Sequence, residues 1–293
     1  MRFTKMHGAG NDYVYVSLWD ESLPEDIPAL ARRVSHRHFG IGSDGLILIG
    51  PSSIADARMQ MFNADGSPGL MCGNGLRCVA RWLHDHRGFR VNPLRIETAR
   101  GVVEATLEWD GPRVKSVRVN MGRPGLAPAD IPVILKCNDS REPLVDVPLE
   151  IEGRDVRVTL VSMGNPHAIV FVESCDEGEL VRTLGPWIER HPAFPDRTNV
   201  EFVQVISRSE LRMRVWERGA GETLACGTGA CAAVVAGTLK GLLERRAAVH
   251  LPGGTLEIEW TSAGDVLMAG PAVEVFRGDF PLMDVDPMLA GTL

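Results

Sequence analysis

The sequence predicts an α+β fold made of two pseudo-symmetric domains that arose by internal duplication, each a β-sheet wrapped around a central helix. The duplication is visible as segments that recur about half a chain apart. Residues 71–75 (Met-Cys-Gly-Asn-Gly) match residues 225–229 (Ala-Cys-Gly-Thr-Gly), and residues 58–63 match residues 212–217, both at an offset of 154. A register held over separate segments indicates two copies of one structural unit. We expect the active site in the cleft between them.

Short apolar runs bounded by Gly, Pro and Asp dominate both halves and predict β-strands. Helical spacing is rarer. It predicts outer helices over residues 27–36 and 180–190, and one central helix per half, over residues 74–86 and 229–243. The first central helix carries one apolar stripe, whereas the second is apolar on nearly all sides and is expected to be buried. Many strands with one long helix per half are typical of the α+β class.

The domain boundaries follow from length and from turn-forming residues. A chain of 293 residues can hold two domains with separate cores. Gly and Pro cluster just after residue 120, so we expect a first repeat domain over residues 1–120 and a second over residues 121–270. The tail, residues 271–293, contains another strand-like run, and we expect it to return to the first sheet.

Composition argues against several classes of function. A net charge of −7 without a basic cluster gives no footprint for nucleic acid. The N-terminus lacks a signal-peptide pattern and no apolar stretch approaches the ~20 residues that span a bilayer, so a cytoplasmic protein without membrane contact is expected. The six cysteines suit neither a disulfide framework nor a common zinc site. We interpret four of them as reduced and mostly buried thiols: Cys78, Cys137, Cys175 and Cys231.

The remaining two, Cys72 and Cys226, lie where a glycine-rich turn opens a central helix. A helix start offers free N–H groups and a positive dipole end, which can hold a carboxylate and can lower a thiol pKa from about 8.5 to ~3.5–7.5. If both copies face one cleft, a carboxylate bound between them places its neighbouring carbon between two sulfurs. One thiolate can remove the α-proton while the opposite thiol protonates the other face, which inverts the centre without a cofactor.

The motifs around these cysteines closely resemble the diaminopimelate epimerases, members of the pyridoxal-phosphate-independent amino-acid racemase group. The resemblance spans nearly the whole chain. Its stretches are residues 5–13 (KMHGAGNDY), 63–66 (NADG), 71–78 (MCGNGLRC), 162–167 (SMGNPH), Asn199, 217–231 (ERGAGETLACGTGAC) and 251–254 (LPGG). Some members carry Gln where this chain has Gly45, so Gly45 is left out of the predicted site.

The resemblance implies roles for individual residues. Cys72 and Cys226 would be the paired acid and base, with His167 and Glu217 as catalytic partners that set the protonation and orientation of the thiols. Arg218 would clamp the distal carboxylate of the substrate. Backbone N–H groups of the two glycine-rich turns would hold the reacting carboxylate. The substrate-binding residues predicted in this way are Asn11, Asn63, Gly73, Asn74, Asn165, Asn199, Glu217, Arg218, Gly227 and Thr228.

The resemblance also implies the reaction, which is interconversion of L,L- and meso-2,6-diaminoheptanedioate in lysine and peptidoglycan precursor biosynthesis, with no cofactor and no metal. It allows a homodimer, although no stretch identifies an interface. A proline racemase or hydroxyproline epimerase would use the same two thiols, but its cyclic substrate lacks distal groups for Arg218 to bind. A phenazine-type isomerase lacks the thiol pair. A non-catalytic amino-acid-binding protein would bind its ligand without loss of the α-proton to solvent, and a redox sensor would use the facing thiols to form a disulfide. The sequence does not indicate which cysteine deprotonates which isomer.

Overall fold

A computed structural model describes residues 1–69, 71–135, 142–175 and 178–282, with matching elements in the two halves. The first half contains β1 (Arg2–Gly8), β2 (Asn11–Ser17), α1 (Ile27–Ser35), β3 (Gly45–Gly50), β4 (Ala57–Asn63), β5 (Pro68–Gly69), α2 (Gly73–Arg87), β6 (Leu94–Thr98), β7 (Gly101–Asp110) and β8 (Arg113–Asn120). The second contains β9 (Val147–Ile151), β10 (Arg154–Ser162), β11 (Pro166–Phe171), α3 (Gly178–Glu189), β12 (Asn199–Ser207), β13 (Glu210–Glu217), β14 (Gly221–Thr223), α4 (Gly227–Leu239), β15 (Arg246–Leu251), β16 (Gly254–Trp260), β17 (Val266–Gly270) and β18 (Val273–Asp279).

The two halves have the same order of strands, and they meet where β8 pairs with β17. From that pairing, the first half runs β8-β7-β6-β4-β3-β2-β1 and the second runs β17-β16-β15-β13-β12-β11-β10. The parallel pairs correspond, since β2–β3 and β4–β6 match β11–β12 and β13–β15. The α+β class with two pseudo-symmetric halves is therefore confirmed.

The outer edges of the sheet show how the halves are tied together. β18 pairs with β1, so a strand late in the chain completes the first half, and β9 takes the corresponding edge beside β10. Residues 283–293 of the predicted tail lie outside the described residues. The division at residue 120 stays a prediction, because β8 and β17 join the halves in one continuous sheet.

Among the described residues, three apolar clusters hold this arrangement together. The largest surrounds both central helices and includes Leu76 and Val79 of α2 with Ala230 and Val234 of α4. A second cluster lies under α3 and a third under α1. Each half thus has a central helix on one face of its sheet and an outer helix on the other. One shared core positions the N-termini of α2 and α4.

The sequence misplaced the end of the second central helix. α4 stops at Leu239 instead of residue 243, because Gly241 adopts a left-handed φ of 72° and turns the chain. The amides of Leu242 and Leu243 then bond back to the carbonyl of Gly237. Leu243 therefore packs against Gly237 at the end of the helix, whereas Leu242 stays exposed.

Three of the four cysteines predicted to be buried thiols lie in the described part of the chain. Cys78, Cys175 and Cys231 are buried, as predicted, whereas Cys137 lies outside the described residues. Burial raises the pKa of Cys78 to about 11 and that of Cys231 to about 12. In the described ranges, no helix is long and apolar enough to cross a membrane.

Candidate active site

A cleft of about 910 Å³ opens between the two halves. Its walls include Asn11, Tyr13 and Asn63 from the first half, and Glu217 and Thr223 from the second. The volume lies near the upper end of small-molecule sites, which are roughly 300–1,000 Å³. Three of the predicted site residues therefore line one common cavity that both copies of the fold build.

Cys72 is the N-cap residue of α2. Its Sγ accepts a hydrogen bond from the amide of Gly75 at 3.4 Å, and its thiol donates to Asn11 Oδ1 at 3.2 Å. The Asn11 amide group in turn donates to Asp44 Oδ2 at 2.7 Å. The thiol is thus fixed at the helix start by a backbone group and by an amide that lines the cleft.

Cys226 caps α4 in the same way. Its backbone angles, φ −120° and ψ 110°, are close to the −128° and 116° of Cys72, and its Sγ accepts from the Gly229 amide at 3.4 Å. Thr228 Oγ1 lies 3.4 Å from the sulfur. The two caps therefore match in their backbone angles and in the amide hydrogen bond that each sulfur accepts.

The helix starts meet around one side chain, Met268 of β17. A Cβ added to Gly73 would lie 2.5 Å from Met268 Cε, and one added to Gly227 would lie 3.0 Å from Met268 Sδ. The same Cβ on Gly227 would be 3.3 Å from Asn74 Oδ1, an atom without a hydrogen-bond partner. The glycines are therefore required for the close approach of both helix starts to Met268.

The pKa of each thiol is higher than its position at a helix start suggests. Burial raises the pKa of Cys72, and the Gly75 amide, a hydrogen bond with Tyr13 and the charge of Arg77 offset this only in part. The pKa of Cys226 is well above its ordinary value because of burial and the nearby charges of Glu217 and Glu201. In both caps, loss of hydration therefore outweighs the lowering of the thiol pKa that a helix start favours.

Glu217 is the last residue of β13 and faces the cleft. Its carboxylate accepts a hydrogen bond from the Thr223 hydroxyl. Burial raises its pKa, and the nearby charge of Glu201 adds to this effect. Glu217 therefore acts on Cys226 through its charge, which raises the pKa of that thiol.

His167 is fully buried and reaches the cleft through other residues. Its Nδ1 lies 2.7 Å from Glu201 Oε1, and its Nε2 lies 3.1 Å from Asn165 Oδ1. The Asn165 amide donates to Thr228 Oγ1 at 3.3 Å, and Thr228 contacts the sulfur of Cys226. The predicted partners His167, Asn165 and Thr228 thus form one chain that ends at a thiol.

Asn199 and Arg218 lie together but are engaged with backbone groups. The Asn199 amide donates to the Pro166 carbonyl at 3.2 Å, and its Oδ1 accepts from the Arg218 amide at 2.8 Å. The Arg218 guanidinium donates to the Asp196 carbonyl at 3.0 Å. The described part of the cleft wall includes neither side chain. The structure therefore groups these two residues without turning the guanidinium into the cavity.

Sequence reasoning missed several groups that complete the site. Tyr13, Asp44 and Thr223 support Asn11, Cys72 and Glu217, and Glu201 is the buried partner of His167. Glu201 could have been found, since it is a lone acid at a buried position of an apolar strand. The others occupy ordinary turn and strand positions that carry no such signal.

Gly45 fits its place for steric reasons. A Cβ there would lie 2.2 Å from the Phe62 carbonyl and 2.9 Å from Tyr13 Cε1. Among the described residues, no group of three or more His, Cys, Asp or Glu is arranged to hold a metal.

The fold and the paired helix caps define a class of protein. A probable proline racemase from Agrobacterium radiobacter K84 superposes with a TM-score of 0.69 at 18% identity, covering 98% of this chain and 94% of its own. A hydroxyproline epimerase from Agrobacterium vitis gives 0.67 at 17% identity, covering 98% and 93%. At this identity the likeness shows the fold alone, which this chain shares with both proteins.

Sequence similarity gives a narrower assignment. The family model described as diaminopimelate epimerase matches residues 3–127 and 159–275, and the chain belongs to that family. A diaminopimelate epimerase from Moorella thermoacetica is 55% identical over 96% of this chain and 100% of its own length. One from Acetivibrio thermocellus is 51% identical over 97% and 100%.

Proposed function

We propose that this chain epimerises diaminopimelate, interconverting the L,L and meso isomers by moving an α-proton with Cys72 and Cys226. The observation that carries the proposal is the pair of equivalent helix caps, each holding a thiol at the same backbone geometry. Membership of the family supports the choice of substrate. The enzyme class that follows is an isomerase acting on amino acids.

The proposed reaction needs one thiolate and one thiol. The thiolate takes the α-proton, which leaves a carbanion stabilised by the adjacent carboxylate. The second thiol then gives its proton to the opposite face, so the C–H bond is re-formed with inverted configuration and the charge has moved to the other sulfur. The free amides at Gly73, Asn74, Gly227 and Thr228 favour this step, because they offer donors where negative charge grows on the carboxylate.

Polar neighbours of Cys226 fit supporting roles. The charge of Glu217 holds the proton on Cys226, which keeps that thiol ready to act as an acid. His167 fits a positioning role, since it reaches the sulfur only through Asn165 and Thr228. Its buried contact with Glu201 fixes the ring and therefore fixes the amide that orients Thr228.

Recognition of the distal amino-acid group would fall to Asn11, Asn63, Asn165, Asn199 and Arg218. Asn11 and Asn63 already face the cleft. Arg218 would have to leave the Asp196 carbonyl to form a two-pronged contact with a carboxylate. We infer that the halves close on the substrate, because abstraction of a weakly acidic proton is favoured in a site without bulk water. The same proposal places the enzyme in the cytoplasm, in lysine and peptidoglycan precursor biosynthesis, and it allows a homodimer.

The test is proton NMR of L,L-diaminopimelate with reduced enzyme that is free of pyridoxal phosphate, in D₂O. We expect loss of an α-proton signal together with signals of the meso isomer. A folded enzyme with both thiols free that leaves the spectrum unchanged would contradict the proposal. The same assay with proline and hydroxyproline then tests the related racemases. Binding without exchange would indicate an amino-acid-binding protein.

A further inference from the structure

Arg77, in the second turn of α2, is a fully buried cation without an acidic partner. Its side chain has 0% exposure, and no carboxylate in the described ranges lies within ion-pair distance. Nε donates to the Pro271 carbonyl at 3.1 Å, Nη1 lies 3.6 Å from Met268 Sδ, and Nη2 has no hydrogen-bond partner. Buried arginines are ordinarily paired, so an unpaired one indicates a role other than stability.

The guanidinium lies beside the place where the two central helices begin. It contacts Met268, the side chain on which Gly73 and Gly227 converge. On the other side, a Cβ added to Gly8 would lie 2.9 Å from Nη2 and 2.9 Å from the Asn74 carbonyl. Arg77 therefore places a positive charge behind the first turn of the helix that Cys72 caps.

The duplication gives this charge to one half only. At the offset of 154 that relates Cys72 to Cys226, Arg77 corresponds to Cys231, a neutral buried thiol. Cys226 has the opposite kind of neighbour, the carboxylates of Glu217 and Glu201. The halves thus share a backbone but differ in the sign of the charge near their thiols.

We infer that Arg77 is a positioning residue of the proton transfer, an unpaired buried cation that favours the thiolate at Cys72 over the thiolate at Cys226. In the resting enzyme, Cys72 is then the member of the pair that ionises first. Its consequence for catalysis rests on the proposed epimerase function. The order of ionisation itself does not, because it concerns the enzyme without substrate.

Coulomb attraction in a site of low dielectric supports the inference. The ionisable groups that interact with the guanidinium are Cys72, Cys78, Tyr15 and Cys231. Each is neutral when protonated, and the positive charge of Arg77 would stabilise its anionic form. Among these, Cys72 alone belongs to the catalytic pair and also receives the Gly75 amide and a hydrogen bond with Tyr13. The charge therefore acts where the helix start already supplies donors.

The first test uses the wild-type protein without substrate. The rate of iodoacetamide alkylation at Cys72 and at Cys226 is measured across pH by peptide mass spectrometry. Because alkylation follows the thiolate fraction, we expect the profile of Cys72 to rise at lower pH than that of Cys226. A Cys226 profile at the same or lower pH would overturn the inference, and this test needs no variant to fold.

The second test removes the charge. Arg77→Met should lower the alkylation rate of Cys72 at neutral pH by about tenfold, which corresponds to a shift of about one pH unit. Arg77→Lys should recover most of that rate, since it keeps the charge. Arg81→Met is the matched control, because Arg81 bonds the next carbonyl, that of Ala272, but is paired with Asp85.

Kinetics separates a charge effect from loss of structure. In Arg77→Met, the acidic limb of the kcat/KM profile should move to higher pH in the direction that uses Cys72 as the base, while Arg81→Met leaves it in place. Equal shifts at both thiols, or a folded Arg77→Met with an unchanged Cys72 profile, would contradict the inference. Failure of the NMR assay with a correct order of alkylation would instead reject the proposed substrate.

Discussion

The two helix caps at the centre of this molecule are alike in backbone and unlike in electrostatics. Cys72 and Cys226 have nearly the same φ and ψ and accept the same i+3 amide hydrogen bond. A buried cation lies near the first, whereas two carboxylates raise the pKa of the second. The pseudo-symmetric fold therefore places two thiols at equivalent helix starts. Under the proposed mechanism, the unequal charges favour ionisation of one thiol while the other keeps its proton.

The helices behind the caps differ in the same sense. α2 has an exposed face and ends in His84, His86 and Arg87 before Gly88, whose φ of 70° closes the helix. α4 is apolar and buried along most of its length. Polar side chains of α2 can therefore face solvent. In the second half, buried polar side chains need hydrogen-bond partners within the protein.

The largest effect is expected when either thiol is replaced. Cys72→Ser and Cys226→Ser keep the cap but offer a much weaker acid, so each should lower the epimerisation rate by about 10²–10⁴-fold, the usual contribution of a general acid or base. Steady-state assays with L,L- and meso-diaminopimelate measure this. Cys175→Ser is the control. If one of the two variants kept full activity, the opposed thiols would not be a working pair.

Loss of a buried pair in the second half should come next. His167→Phe leaves the Glu201 carboxylate buried without its partner, and breaking such a pair destabilises a protein by about 3–5 kcal/mol. Urea unfolding followed by circular dichroism gives the free energy of unfolding. Recovery is expected in the double variant His167→Phe/Glu201→Gln, which removes the unpaired charge. A loss below about 1 kcal/mol would show that the pair is not closed to water.

Glu217→Gln tests the charge beside Cys226. Removal of a nearby negative charge should lower the pKa of that thiol and speed its alkylation at neutral pH. Stability should also rise at neutral pH. The folded pKa of Glu217 is raised, so its ionisation costs folding free energy as pH increases above the ordinary value. Glu222→Gln, in the same cleft but paired with Arg182 and Arg214, should leave the Cys226 profile unchanged. An unmoved Cys226 profile in Glu217→Gln would contradict the account.

The smallest effect is expected at Asp12, which corresponds in the first half to His167 at an offset of 155. Its carboxylate is paired with Lys5 and Arg37 and is partly open to solvent. Asp12→Asn should therefore lower the free energy of unfolding by about 1 kcal/mol. The pKa of Asp12 is lowered in the fold by these partners despite burial, so its contribution is present above about pH 4 and is lost as pH falls through the folded pKa. Urea unfolding at pH 7 and at pH 3 measures the loss of unfolding free energy and its dependence on pH. A loss as large as that of His167→Phe would contradict the expected difference between the two positions.

The repeated motif and both helix caps could be predicted from the sequence, because a Cys-Gly-x-Gly turn before a helical pattern is a strong local signal. Sequence reasoning did not predict β1, β6, β15 and β17 as strands. β1 and β15 alternate irregularly and β17 is a short apolar run without polar residues, whereas β6 does alternate but spans only 5 residues. Sequence reasoning also gave no role to Arg77 or Glu201. Their burial is decided by strands distant in sequence, such as β17 for Arg77 and β11 for Glu201, and only the assembled sheet reveals it.

The most direct test of a two-thiol mechanism follows hydrogen isotopes during the first few per cent of reaction in D₂O. Mass spectrometry of the separated isomers gives the deuterium content of product and remaining substrate. If opposed thiols act as acid and base, the meso product should carry one deuterium from the solvent-equilibrated thiol, while recovered L,L-diaminopimelate carries none. Product that retains the substrate's own proton would show that a single base serves both faces, which would contradict the account.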